Sequence, residues 1–380
     1  NRHSRYYLGL LARQEPLLRG ADQPTAIETI EGDIENIRAA WSWAVGHGML
    51  GDLLDAAFSF WLFYVIHGWM REAESTFGAL LDALESGDLS TSGSDGARTL
   101  ALATARVYTG GFRSGIGRYD EAIDLLQAGI PVLISYERGR SAGLGLNMLA
   151  AAHLLRGEYE QARDRLRESL AQFRKIDDAW GAAFSLTDLG TVLSRHFADE
   201  DGEGFCEESR ETFRRLGDRR GQAFAASSLA QIALGRGNHQ RALRLHREAL
   251  ALREEVDDRW GVAMSRVQLG RVFAAMGERD RARDVLLRAL RIAWDVSIAP
   301  IVVEALAELA ALELPDGESE HARQVLVAVI GHPAAPGPVR ERALALAGDA
   351  EIETPSRNPA EAVNELARAM LSGGPAARNG

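Results

Sequence analysis

The chain has 380 residues, and its 54 acidic side chains outnumber 43 basic ones for a net charge of −11. That balance excludes the broad basic face of a nucleic-acid binder. The one cysteine, Cys206, excludes an internal disulfide and points to a reducing cytoplasm.

In chain order, residues 4–20 and 24–47 read as two helices, with Pro24 suited to a helix start and Gly46-His47-Gly48 to a stop. Trp41 and Trp43, two apart, cannot share a helical face. The plain expectation is Trp41 packed inside and Trp43 half exposed, and the other reading is contact with a neighbouring module. Helices follow at 51–66 and 69–85. The apolar run Ala56 to Ile66 is about half the ~20 residues a membrane span requires, and reads as a buried helix. Ser86 to Gly96 is a polar loop and the best internal boundary.

From there a step of forty governs the chain. Asp178-Ala-Trp-Gly181 returns as Asp218-Arg-Arg-Gly221 and as Asp258-Arg-Trp-Gly261. Ala122, Ala162, Ala242, Ala282, Ala322 and Ala362 share one register, with Gly202 in the missing slot. Five residues before most of them lies a glycine: Gly117, Gly157, Gly237, Gly277, Gly317. Self-similarity at this period is the mark of stacked repeats. Within one unit, Gly221–Leu234 has apolar and small residues at helical spacing. Gly235-Arg-Gly-Asn238 breaks the chain, and His239–Val256 is helical again. The small residue at Ala242 belongs where two helices cross closely. Neither helix of a pair buries its face alone, so the fold class is all-α, an α-solenoid of stacked helix pairs. The third pair departs from the pattern, with Phe197 in the glycine slot followed by Ala198-Asp-Glu-Asp-Gly-Glu-Gly204.

Leu229-Ala230, Ala242 and Ala249-Leu250 resemble the tetratricopeptide repeat in a forty-residue form, which implies a right-handed superhelix. Phe213-Arg-Arg-Leu-Gly-Asp-Arg-Arg-Gly221 is similar to the C-terminal arrays of STAND-type signalling ATPases, which include large bacterial transcriptional regulators. Arg2-His-Ser-Arg-Tyr-Tyr-Leu8, Glu15-Pro-Leu-Leu-Arg-Gly20 and Glu31 to Trp41 resemble the helices that join the nucleotide-binding and winged-helix modules to those repeats. The expected organisation follows. Residues 1–50 are a helical linker, and 51–96 a degenerate helix pair with the polar loop. Residues 97–335 are an array of about six pairs, 336–371 degenerate capping helices, and 372–380 a disordered tail. The start at Asn1, with neither methionine nor signal peptide, reads as the start of a fragment.

No Gly-x-x-x-x-Gly-Lys-Ser/Thr loop is present, so the resemblance places the ATPase outside this chain. Asp199, Asp201 and Glu203 lack EF-hand spacing and read as a solvated turn. His239 and His246 are too far apart on one helix to share a zinc. No metal, cofactor or catalytic constellation is expected, and the chain does not read as an enzyme. The resemblance puts the informative surface on the concave groove. Its candidate wall residues are Asn147, Phe184, Thr187, Thr191, Arg195, Gln231, Met264, Val267 and Arg271. Asn147 matches an asparagine with which peptide-binding members hold a ligand backbone or carboxylate. Arg195 and Arg271 suit an anionic group. The implied partners are a peptide, protein or small-molecule effector in the groove and the nucleotide-binding module of the same parent protein. Direct nucleic-acid or membrane binding is not expected. The implied role is a sensor governing a nucleotide-driven switch, and the alternative is a constitutive protein-interaction scaffold.

Overall fold

The computed structural model describes residues 1–87, 95–314, 319–348 and 358–372. Among these residues every regular element is a helix. The N-terminal segment comprises α1 (Arg2–Arg13), α2 (Glu15–Leu18), α3 (Gln23–Gly32), α4 (Ile34–Gly46), α5 (Leu50–His67) and α6 (Met70–Ser86). Consecutive helix pairs follow: α7 (Asp95–Gly115) with α8 (Tyr119–Ser135), and α9 (Gly139–Arg156) with α10 (Tyr159–Lys175). Next come α11 (Ala179–His196) with α12 (Asp201–Leu216), and α13 (Arg219–Gly235) with α14 (His239–Glu255). The last pairs are α15 (Arg259–Ala275) with α16 (Arg279–Asp295), and α17 (Ala299–Glu313) with α18 (Glu320–Gly331). Two further helices, α19 (Gly337–Ala347) and α20 (Pro359–Leu371), both lie against α18 rather than forming a pair of their own. The polar boundary loop and the tail fall largely outside the described residues.

The forty-residue step has a physical cause at the start of three inner helices, α11, α13 and α15. Asp178, Asp218 and Asp258 are N-caps whose carboxylates accept the backbone N–H of Gly181, Gly221 and Gly261, at 3.1, 2.9 and 2.8 Å. Those glycines are required by crowding. A Cβ on Gly181 would overlap the Phe173 ring, one on Gly221 the Phe213 ring, and one on Gly261 the Arg253 side chain. The small-residue register marks the crossing within a pair: Ala162, Ala242, Ala282 and Ala322 are fully buried. In the third pair Gly190 and Gly202 approach so closely that neither admits a side chain.

Turns follow the same step. Between pairs, Glu137, Asp177, Asp257 and Ser297 take positive φ, and Gly217 does so at the one junction built on glycine. Within pairs the left-handed residue is Gly117, Gly157, Gly237 or Gly277. In the third pair Phe197 remains the helix cap, and Ala198, one residue later, takes φ 50°.

The N-terminal helices differ from the sequence reading. The expected helix over 4–20 breaks at Gln14, because Pro16 in the next turn lacks an N–H and crowds the preceding carbonyls. The helix expected over 24–47 breaks at Asp33, after Gly32. Trp41 is buried, its indole N–H donating to the Thr76 carbonyl at 3.3 Å, while Trp43 is 48% exposed and stacks on His47. By length and composition α5 is apolar enough to cross a membrane, but 67% of it is buried inside the fold.

The inner helices do not form an open spiral. They pack in succession, α5 on α7, α7 on α9, then α11, α13 and α15, and α15 returns to α5. At the closure, Gly68 sits against Trp260 and Ile298. One end of this ring is overlaid by the α1–α2 segment. Arg140 at the start of α9 pairs with Glu15, Arg19 donates to Asp178 at 3.0 Å, and Gly217 abuts Ala21. At the other end the segment joining α18 and α19 lies on the α7–α8 and α9–α10 turns. There the Tyr119 hydroxyl donates to the Ala334 carbonyl at 3.1 Å, and Gly337 abuts the Arg156 carbonyl.

Candidate effector chamber

Inside the ring, near the N-terminal ends of the inner helices, lies a cavity of about 230 Å³. Its wall is aromatic: Trp61 from α5, Trp180 and Phe184 from α11, Phe224 from α13 and Trp260 from α15. Helical spacing sets this up, because residues 180, 184 and 188 of α11 stack on one face at intervals of four. Phe184 meets Trp180 edge-on at 4.6 Å and Phe213 at 4.7 Å, which fixes its ring. The Trp180 indole N–H donates to Asp218 at 2.8 Å, and the Arg19 guanidinium lies 5.7 Å from its ring centroid.

Polar groups are few and mostly engaged. Arg220 pairs with Asp258 at 3.4 Å, and Arg253 donates to the Gly261 carbonyl at 3.0 Å and to the Ser265 hydroxyl. Asn147 accepts a hydrogen bond from Ser185 at 3.0 Å through its carbonyl oxygen, so its amide N–H groups are what it offers the cavity. Asp188 also lines the wall. Desolvation raises its pKa to about 7.

Of the residues expected on the groove wall, Asn147 and Phe184 line this chamber. Thr187 and Val267 are fully buried between helices; the Thr187 hydroxyl donates to the Ala183 carbonyl at 3.0 Å and meets Ser209 at 2.6 Å. Thr191 donates to the Thr187 carbonyl at 2.8 Å, and Met264 lies beside Gln268. The remaining three form a separate polar layer toward the C-terminal ends of the inner helices. Arg195 donates to Gln231 at 2.6 Å, and Arg271 pairs with Glu304 and Glu308 at 3.0 and 2.8 Å. Arg195 is water-accessible yet deep in the ring, and desolvation together with the like charge of Arg271 holds its pKa below the usual value. Glu308 also receives Arg342 of α19 at 3.0 Å, which ties that helix to this layer.

The sequence reading missed Trp61, Trp180, Asp188 and Trp260. Trp180 and Trp260 carried a signal, since both stand between a capping aspartate and its glycine at the forty-residue step. Trp61 lies outside the register and carried none. Elsewhere, Glu203 of the acidic turn is paired with Arg236 and Arg241, and burial pushes the Cys206 thiol up to about 12. Among the described residues no three His, Cys, Asp or Glu side chains cluster as a metal site.

Residues 199–255 and 222–293 match the tetratricopeptide repeat family. No curated protein sequence matches the chain. Among solved structures, a Rap protein complexed with competence and sporulation factor is 15% identical, with TM-score 0.56 over 96% of this chain and 99% of that one. The Rap conjugation gene regulator of plasmid pLS20, solved with a Phr peptide, is 15% identical, with TM-score 0.54 over 85% of this chain and 97% of that one. A STAND protein with a tetratricopeptide repeat sensor from Pyrococcus horikoshii is 15% identical, covering 98% of this chain and 53% of that one at TM-score 0.47. Residues 199–293 thus match tetratricopeptide repeats and are set in an α-solenoid similar in fold to the Rap proteins.

Proposed function

We propose that this chain is the sensory repeat region of a STAND-type nucleotide-dependent switch whose nucleotide-binding module lies elsewhere in the parent protein. The observation that carries the reading is the chamber wall, which joins α5 of the N-terminal segment to the repeat helices α9, α11, α13 and α15. An effector in the chamber therefore touches both the array and the segment whose first 85 residues resemble a STAND connector. Such an effector shifts an equilibrium only if it binds one arrangement of segment and array better than another. Rap proteins of like fold were solved with competence and sporulation factor and with a Phr peptide, which supports ligand recognition by this kind of solenoid.

The test is a thermal-shift screen of this chain against small-molecule and peptide fractions of a cell extract. It is followed by nucleotide turnover of the parent protein with the stabilising fraction. Stabilisation that disappears in Phe184→Ala, together with altered turnover, is the expected result. Stabilisation unchanged in Phe184→Ala, or turnover indifferent to the fraction, overturns the sensor reading and leaves a constitutive interaction scaffold.

A further inference from the structure

The chamber's charge inventory is uneven. Asp218 and Asp258 are committed as helix caps, and Asp258 also neutralises Arg220. The Arg253 side chain is fixed on Gly261 and Ser265. Asp188 is the exception: no hydrogen bond or ion pair reaches its carboxyl among the described residues, and it stands half-buried on the wall of the chamber. A carboxylate drawn partly out of water with no counter-charge paired to it is unfavourable until a cation arrives. The groups around it are three tryptophans and two phenylalanines, whose ring faces carry the negative quadrupole that attracts organic cations.

We propose that the chamber is a receptor site for a small organic ammonium ion on an aromatic or branched apolar body, its charge on Asp188 and its body among Trp61, Trp180, Phe184 and Trp260. The Asn147 amide then serves a hydrogen-bond acceptor on the same ligand. The inference rests on the chamber being the effector site and names the chemistry of the effector. An extended peptide is disfavoured, because α5 closes the ring on α15 and the α1–α2 segment overlies its end.

A linked proton makes the site distinctive. In the empty chamber desolvation keeps much of Asp188 protonated near neutral pH, and an entering ammonium lowers its pKa, so binding releases protons. The other groups on or beside this wall hold their state there: Arg253 stays charged, Arg220 and Asp258 are paired with each other, and the Cys206 thiol on α12 stays neutral.

The experiment is calorimetric titration of the whole chain near pH 7 with 2-phenylethylammonium, neutral 2-phenylethanol and anionic 3-phenylpropionate, in two buffers of different ionisation enthalpy. The ammonium should bind at least about tenfold tighter than the alcohol, with buffer-dependent proton release, and the propionate weakest. Asp188→Asn should bring ammonium and alcohol to within about threefold and abolish proton release, with the alcohol's own affinity kept. Equal binding of the three probes, preference for the anion, or a preference that survives Asp188→Asn overturns the proposal. So does absence of binding by all three, which removes the ammonium assignment but not the sensor reading, since that stands or falls on extract fractions and nucleotide turnover. Should Asp188→Asn fail to fold, the probe order and proton release of the unaltered chain decide alone.

Discussion

Arg19 donates to Asp178 at 3.0 Å, joining α2 to the N-cap of α11 across 159 residues of chain. The same carboxylate accepts from Arg140 at 2.6 Å and from the Gly181 N–H, and is almost wholly buried. Desolvation pushes its pKa up, but the Gly181 N–H and the two guanidiniums outweigh that and hold it below the ordinary value. Asp178→Ala removes a cap and leaves both arginines without their partner, and should cost roughly 2–4 kcal/mol in chemical denaturation. Because the folded pKa is depressed, this stabilisation is present above the ordinary carboxylate pKa and fades as pH falls through the folded one. Arg19→Ala should leave the α11 cap intact and selectively raise hydrogen exchange in α1 and α2. Uniform exchange changes across the chain would contradict the local role of the clasp.

His246 on α14 is fully buried, and neither ring nitrogen has a partner in the protein. Desolvation, then the charges of Arg253 and Arg271, lower its pKa to about 3. The unfolded chain therefore binds a proton below the ordinary histidine value while the folded one does not. Stability should fall by roughly 1.4 kcal/mol per pH unit from about 6.5 down toward about 3 on this account. His246→Met should flatten that part of the profile. An unchanged slope between pH 6 and pH 4, read by urea denaturation, would assign the acid sensitivity elsewhere.

Ala198 holds φ 50° where four of the other within-pair turns place glycine. Ala198→Gly should stabilise the chain by about 0.5–1 kcal/mol, by relieving the left-handed strain of a residue with a side chain. A lower melting temperature in this variant would show that the alanine methyl contributes packing that exceeds the backbone relief.

Arg271 and Asn147 were expected to act alike on a groove wall, and the structure separates them. Arg271 neutralises Glu304 and Glu308, the latter only 3% exposed at its side chain. Arg271→Ala should cost roughly 3–5 kcal/mol of stability by leaving Glu304 without its ion-pair partner and Glu308 with Arg342 alone. Asn147→Ala should melt within about 1 kcal/mol of the unaltered chain while weakening any chamber ligand. Equal melting of the two variants would refute the assignment of Arg271 to a structural layer.

Ala242 is fully buried at the crossing of α13 and α14. Ala242→Trp should cost at least about 1–3 kcal/mol from overpacking, and Ala242→Ser much less. Matching melts for the two would place the crossing elsewhere.

The repeat was legible because its causes are local. An aspartate cap, a glycine under an aromatic ring and a small residue at a helix crossing each fix a residue type at a fixed position, as at Asp218, Gly221 and Ala242. The wall of the chamber was legible only in part. Carrying the tetratricopeptide groove pattern onto α11 selected residues 184, 187, 191 and 195, whereas the cavity is lined by 180, 184 and 188, a stripe nearer the helix start. The contribution of Trp61 depends on α5 meeting α15, a contact between segments far apart in sequence that no periodicity encodes. The breaks at Gln14 and Asp33 were missed because amphipathic spacing runs on through them.

The return of α15 to α5 also bears on how the chain reaches its fold. An open solenoid grows by nearest-neighbour contacts, so each pair is stable once the next has formed. Here Trp61 belongs to α5, and Gly68 at its end meets Trp260 of a far neighbour that begins at Arg259, some two hundred residues later in synthesis. Until that helix emerges, α5 leaves apolar surface without its full cover, a state prone to wrong association. Closure is a contact of high sequence separation, and it should form late and slowly relative to the stacking of individual pairs. Once formed, it makes loss of either end of the array felt at the other.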